Sequence, residues 1–261
     1  MSTSTGTIAS GRLDGPWPRF GTAESTWSAA VDVTSAPEMS WGTPGRVVVV
    51  APHPDDEVLG CGGLIRQLAA AGHSIEVVAV TDGEAAYGGD ATARRRLAAT
   101  RLLERRRAFA NLGAGPVPTL RLRLDDARVA EQEDELASAL RSLLLRGAKH
   151  HRPATWCLAT WRLDGHPDHE ATGRAAARAC EAAGSRLAEY VVWGWHLLGP
   201  DGLPTDALRT ARLTAADREA KERAIRTHRS QLESPAPGVD PVLEASVIEH
   251  FLRDFETVIV R

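Results

Sequence analysis

Three cysteines in 261 residues, none forming a close CxxC pair, exclude a disulfide scaffold and a cysteine-based zinc knuckle. Cys61, Cys157 and Cys180 fall inside expected helices and strands. They read as buried thiols in a reducing compartment, so a cytoplasmic location is the expectation. No apolar run approaches the roughly 20 residues that span a bilayer, and the Ser/Thr/Gly-rich N-terminus has neither the basic nor the apolar region of a signal peptide. Neither charge sign dominates: 31 basic and 34 acidic residues leave a formal net charge of −3, which offers nucleic acid no bulk attraction. Internal repeats and low-complexity tracts are also lacking. The remaining composition is that of a globular chain long enough to bury one α/β core.

Residues 1–44 are rich in small polar residues and proline, yet they hold Trp17, Phe20, Trp27 and Trp41. Disordered segments seldom carry so many aromatics. This stretch therefore reads as an irregular N-terminal arm that packs its indoles onto a single main domain at 45–261. From Arg46 onward strands and helices alternate. Strands are expected at 46–51, 74–80, 117–124 and 154–160 and around Tyr190 to Trp195. Helices are expected at 58–71, 93–112, 131–146 and 168–183, with Gly72 and Gly113 as stops. Such alternation implies βαβ units, hence a Rossmann-like three-layer α/β fold with a mainly parallel sheet covered on both faces. Its binding crevice lies beyond the strand C-termini.

Two segments carry the chemistry. Val47-Val48-Val49-Val50-Ala51 gives way abruptly to Pro52-His53-Pro54-Asp55-Asp56-Glu57, and Trp156-Cys157-Leu158-Ala159-Thr160-Trp161 is followed by His166-Pro167-Asp168-His169. Three successive acids at a helix start repel one another unless the helix dipole or a cation offsets them. His53 and Asp56, three apart in the first turn, share one side. With His169 they make the two-imidazole, one-carboxylate set of a catalytic zinc, leaving a position for water. Asp55 is then placed as general base, and His166 as the group that stabilises an oxyanion and protonates a leaving group. Zn²⁺ is the default metal, although Fe²⁺, Co²⁺ and Ni²⁺ suit the same donors.

The HPDDE and HPDH segments, with Gly60-Cys61-Gly62-Gly63, Thr81-Asp82-Gly83-Glu84, Arg101-Leu102-Leu103-Glu104 and the K-x-x-A-I-x-x-H-x-S-Q run from Lys221 to Gln231, resemble the PIG-L or LmbE-like family of metal-dependent N-deacetylases. The resemblance spans about residues 45–233. It implies His53, Asp56 and His169 as metal ligands, Asp55 as base, His166 as oxyanion stabiliser and acid, and Asp168 as the residue that orients His166. Arg101 and Asp126 match positions that contact a sugar in relatives. Pro52 departs from the alanine common before the first histidine, where only the backbone turns.

The Trp193-Gly194-Trp195-His196 run adds a candidate sugar platform, with Trp195 and His196 as the contacts and core packing as the other reading. His228 and Gln231 read as structural at least as readily as catalytic. The remaining arginines around Arg101 read as a solvated helix face, and His73, His150, His151 and His250 as surface or satisfied residues. The reaction expected is removal of an N-acetyl or other N-acyl group from an amino sugar or glycosylated small metabolite. The alternatives are an amidase acting on larger conjugates and a non-catalytic metal- or sugar-binding protein.

Overall fold

The computed structural model describes residues 21–148 and 155–260, so Trp17, Phe20, His150 and His151 lie outside the described residues. Seven strands form one sheet: β1 (Arg46–Ala51), β2 (Ser74–Ala79), β3 (Thr119–Arg121), β4 (Trp156–Thr160), β5 (Arg186–Tyr190), β6 (Leu208–Arg212) and β7 (Phe255–Val260). The helices are α1 (Glu24–Ala29), α2 (Val31–Thr34), α3 (Asp56–Ala70), α4 (Ala91–Leu112), α5 (Glu133–Ala148), α6 (Pro167–Ala183), α7 (Gly194–Leu197), α8 (Ala215–Ile225), α9 (Arg229–Leu232) and α10 (Ala245–Ile248).

The strand order is β3-β2-β1-β4-β5-β7-β6. The first five strands pair in parallel, and β7 joins β5 and β6 antiparallel. In β1, Val47 and Val49 enter one apolar cluster with α3, α4 and α8, while Val48 and Val50 enter a second with α5 and α6. A strand's period of two thus serves two buried faces, which explains a run of four valines without a polar interruption. From β1 the chain winds outward to β2 and β3, and from β4 it winds the other way to β5, so a crevice lies between the loops that follow β1 and β4.

Helix α3 breaks at Cys61 (φ −148°, ψ 27°). The break frees the N–H groups of Gly63 and Leu64, and both donate to the Glu256 carboxylate of β7 at 2.8 and 2.6 Å. Lys221 on α8 pairs with the same carboxylate at 2.7 Å, so this buried charge is matched on two sides. Two residues of the Gly60–Gly63 and Lys221 motifs therefore meet in one structural joint.

Several expectations are corrected. The strand foreseen at 190–195 ends at Tyr190, because the N–H groups of Val192, Trp193 and Gly194 all turn towards Asp164; successive N–H groups of a strand point to opposite sides. The strand foreseen at 117–124 is only three residues long, since Arg123 takes a positive φ of 59°. Helix α5 is preceded by a 3₁₀ turn at Val129–Gln132.

Residues 21–44 hold two short helices instead of wholly irregular chain. Trp27 is buried, donates from Nε1 to the Trp195 carbonyl at 2.6 Å and meets that ring edge-on at 5.0 Å. Trp41 meets Trp156 at 5.0 Å. Glu24 binds His250 Nδ1 at 2.7 Å and the Arg253 guanidinium at 2.6 and 2.7 Å.

Burial pushes the Glu24 carboxyl up, but the His250 and Arg253 hydrogen bonds and the Arg253 charge more than reverse this and hold it at about 2. A depressed carboxyl pKa stabilises the folded state above its ordinary value of 4.5, and that stabilisation is lost as pH falls towards 2. We expect Glu24→Gln to be less stable at pH 7 by about 1–2 kcal/mol after solvent screening. Urea titrations at stepped pH should show the two proteins converging near pH 2; a constant gap would remove the ion pair from the account.

Candidate active site

The loop after β1 is clamped carbonyl by carbonyl. Thr81 Oγ1 donates to Pro52 O at 2.8 Å, Arg105 Nη2 to His53 O at 3.0 Å, and Gln231 Nε2 to Pro54 O at 2.6 Å. Arg105 also pairs with the fully buried Glu57 at 2.8 Å. This answers the repulsion of the acidic run: Glu57 is neutralised by Arg105, and Asp56 turns back to accept from His53 N at 2.8 Å. Arg105 is thus no part of a solvated face.

The loop after β4 is organised by Asp164, a residue the sequence reading missed. Fully buried, its carboxylate accepts from Val192 N (2.8 Å), Trp193 N (2.9 Å) and Gly194 N (3.0 Å) and faces His169 Nδ1 at 2.8 Å. Gly194 is required here, because a Cβ would lie 2.8 Å from Val191 Cγ1 and 3.2 Å from Asp164 Oδ1. His166 caps α6, its Nδ1 accepting from Asp168 N at 3.1 Å. Gly173 lets that helix approach β4, since a Cβ would stand 2.5 Å from the Thr160 carbonyl. His169 follows on the first turn of α6.

The two loops converge. His53 Nδ1, Asp56 Oδ2 and His169 Nε2 form a triangle with edges of 3.2, 3.3 and 3.2 Å. Donors about 2.0–2.1 Å from a tetrahedral zinc stand roughly 3.3 Å apart, so the triangle fits one face of such a site.

Tautomers agree. His169 Nδ1 meets the Asp164 carboxylate, and His53 Nε2 lies 3.3 Å from both Asp126 and Asp168 carboxylates. Carboxylates only accept, which places a proton on each outer nitrogen and aims each inner lone pair at the triangle. His53, His166 and His169 also bring ligand atoms within 4.8 Å of one another, as do His53, Asp126 and Asp168. The first triangle matches a cation best, because it alone joins both inner lone pairs to a carboxylate.

The electrostatics call for positive charge at this point. Burial opposes protonating His169, yet Asp56 and Asp164 hold its pKa up at about 9. His53 is raised well above its ordinary value against the same burial penalty by Asp126, Asp168 and Asp56. Burial would lift Asp56, but His169 and His53 hold it far below the carboxylate range. A cation bound here would take the place of these protons.

Burial, and next the Asp56 charge, push the neighbouring Asp55 up to about 7. Burial and the charges of His169 and His53 keep the His166 imidazole well below its ordinary value, hence neutral. With Nδ1 accepting, its remaining proton is on Nε2.

A cavity of about 1120 Å³ opens onto this cluster and is lined by His53, Asp55, Asp56, Arg101, Asp126 and His166, among others. Arg101 is 2% exposed, and its Nε and Nη2 have no hydrogen-bond partner among the described residues. Asp126 faces His53 with one oxygen and accepts from Ala85 N at 2.6 Å with the other.

Trp195 requires a correction. Its ring packs between Trp27 and the Arg253 guanidinium, 4.3 Å from the ring centre, and it does not line the cavity. Trp193 and His196 do. The segment turns helical, so residues three apart share a face and Trp195 points away. Asp168 is corrected too: its carboxylate accepts from Ala127 N (2.8 Å) and Val129 N (3.0 Å) and approaches His53, and it is the Asp168 main-chain N–H that meets His166. His228 is buried behind the loop, where burial and then Arg105 and Arg101 push it down to about 3.

Comparison with known proteins accords with this geometry. The family model described as GlcNAc-PI de-N-acetylase, PIG-L, matches residues 48–180, just over half of the chain. A diacetylchitobiose deacetylase of Thermococcus kodakarensis is 26% identical over 193 residues, covering 71% of this chain and 70% of the relative. A putative glucosamine-6-phosphate deaminase-like protein of Bacteroides thetaiotaomicron is 40% identical over 63 residues, 24% of this chain, and the match spans only 10% of that longer protein. Among solved structures, the N,N′-diacetylchitobiose deacetylase from Pyrococcus horikoshii superposes with a TM-score of 0.55 at 23% identity, covering 83% of this chain and 82% of that one. With both halves of its signature brought together at the sheet's switch point, the chain belongs to the PIG-L family and is a deacetylase, a hydrolase of amide bonds.

Proposed function

We propose that the protein removes an N-acetyl group from an amino sugar or its glycoside, using a divalent cation, with zinc as the first choice, held by His53, Asp56 and His169. The observation that carries this reading is the triangle of inward lone pairs with edges of 3.2–3.3 Å, backed by carboxylates on both histidines. When bound, such a cation polarises the amide carbonyl and lowers the pKa of water and of nearby acids, water to roughly 7.

The remaining steps belong to this chain's residues. Asp55 at the cavity floor takes the proton of the attacking water. His166, neutral with its proton on Nε2, donates a hydrogen bond to the developing oxyanion, and the proton that Asp55 took from the water passes on to the leaving amine. Arg101, buried with two unpartnered nitrogens, offers donors to a sugar hydroxyl or carbonyl. Three buried, unpaired thiols support the cytoplasmic assignment. Among the described residues no helix is long and apolar enough to cross a membrane.

The direct test is release of acetate and free amine from methyl N-acetylglucosaminide. Metal-loaded protein should turn it over, and chelated protein should not. Turnover that survives chelation would reject the metal-dependent reading. The pH profile should show an acid limb as well. Asp55 must be ionised to act, so kcat/KM falls tenfold per unit as pH drops below a midpoint that lies under 7 in the metal-loaded enzyme. Asp55→Glu should move that midpoint; an unmoved limb would assign it to another group.

A further inference from the structure

The cavity is larger than its chemistry needs. Its volume of about 1120 Å³ exceeds the range of roughly 300–1,000 Å³ that holds drug-sized ligands. The reacting groups, His53, Asp55, Asp56 and His166, occupy only part of its lining. A second part is apolar: Tyr87, Val192, Trp193, Val239, Val242 and Leu243.

That apolar wall is anchored. Tyr87 OH donates to Ser230 O at 3.0 Å and accepts from Val242 N at 3.3 Å. Leu243 N donates to Gln231 O at 2.9 Å, and Gln231 is the residue whose amide clamps Pro54 beside Asp55. Ser234 Oγ holds the Val239 carbonyl at 2.6 Å. A wall fixed to the loop that carries the base needs little ordering when a ligand lies along it. Val239 is nonetheless 43% exposed, so an apolar surface stands ready at the cavity margin.

The charges lining the cavity narrow the ligand further. Arg101 belongs to the buried floor, and Arg128 pairs with Glu131 at 2.6 Å. Asp240 and Glu244 add acidic groups. This arrangement disfavours a phosphate, and the side chains of the apolar wall offer a charge of either sign no partner.

We infer that the substrate carries, besides the acylated amine, an uncharged alkyl or aryl group that packs along the Tyr87, Trp193 and Val239 wall. The inference rests on the deacetylase reading above and narrows its substrate class. The apolar group can be the aglycone or the acyl chain, and two substrate series separate them.

The first series comprises methyl, butyl and hexyl N-acetylglucosaminides. The second lengthens the N-acyl chain on the methyl glycoside, and N-acetylglucosamine 1-phosphate serves as the charged control. A fully buried methylene is worth about fourfold in affinity, and half burial about twofold, so kcat/KM should rise roughly thirtyfold over five added methylenes in one series. The phosphate should react more slowly than the methyl glycoside. Val239→Asp, at a half-exposed site that tolerates charge, should bring the long-to-short ratio close to one without lowering Tm. Flat responses in both series while the methyl glycoside is hydrolysed, or a preference for the phosphate, would overturn the inference alone. No amine release from any member would overturn the deacetylase reading and this inference with it.

Discussion

Asp55→Asn should lower kcat by about 10²–10⁴-fold while the protein still binds one equivalent of metal. The carboxylate lines the cavity beside Asp56 and is absent from the triangle of donors, so its loss removes a proton acceptor and leaves the metal's grip intact. Stability gives a second reading. An acid whose folded pKa is raised to about 7 costs stability as pH climbs from its ordinary value of 3.8, and the full cost is present above 7. The neutral amide has no such cost, so the chelated variant should melt no lower than the chelated parent at pH 8. A variant that is inactive when loaded, still binds one equivalent of metal and is undiminished in Tm once chelated is the expected outcome, checked by single-turnover kinetics, metal analysis and calorimetry. Activity within tenfold of the parent would move the base to another residue.

Asp164→Ala should weaken both the metal site and the fold. One carboxylate holds His169 and three successive backbone N–H groups that shape the cavity wall at Trp193. Losing the support of a ligating histidine costs about 10–100-fold in metal affinity. Each buried N–H left unpaired costs about 1–3 kcal/mol, so stability should fall by about 3 kcal/mol or more. Asp164→Asn separates the two effects. Its amide oxygen can still accept from the backbone, but an NH₂ facing His169 Nδ1 favours the wrong tautomer and puts a proton on the metal side. This variant should therefore keep more of its stability than the alanine form while metal affinity stays low. Equal metal affinity in the parent and both variants would show that His169 needs no such support.

The residues that sequence revealed are those whose signal is local. Four valines running into His53-Pro54-Asp55-Asp56, and HPDH following an apolar strand, announce strand ends with polar cargo, and the structure brings the two loops to neighbouring strands. Asp164 escaped because its role is to gather N–H groups about thirty residues away, which no spacing encodes; its position just after a buried strand is the one available hint. Trp195 was misread because an apolar run reads equally as strand or short helix, and the choice decides which indole faces the cavity. Arg101 and Arg105, one helical turn apart amid exposed arginines, are told from the rest only by what packs above them, namely the cavity for one and Glu57 for the other. Gln231 lay in a recognised motif, but its hold on Pro54 is a tertiary contact.

The central claim is that one cation, held by His53, Asp56 and His169, makes this chain a deacetylase. The most direct measurement titrates Zn²⁺ into chelated protein while acetate release from methyl N-acetylglucosaminide is followed. The account predicts a linear rise in activity that breaks at one equivalent, with no rise for His53→Ala or His169→Ala. A break at two equivalents, or recovery in either variant, would contradict it.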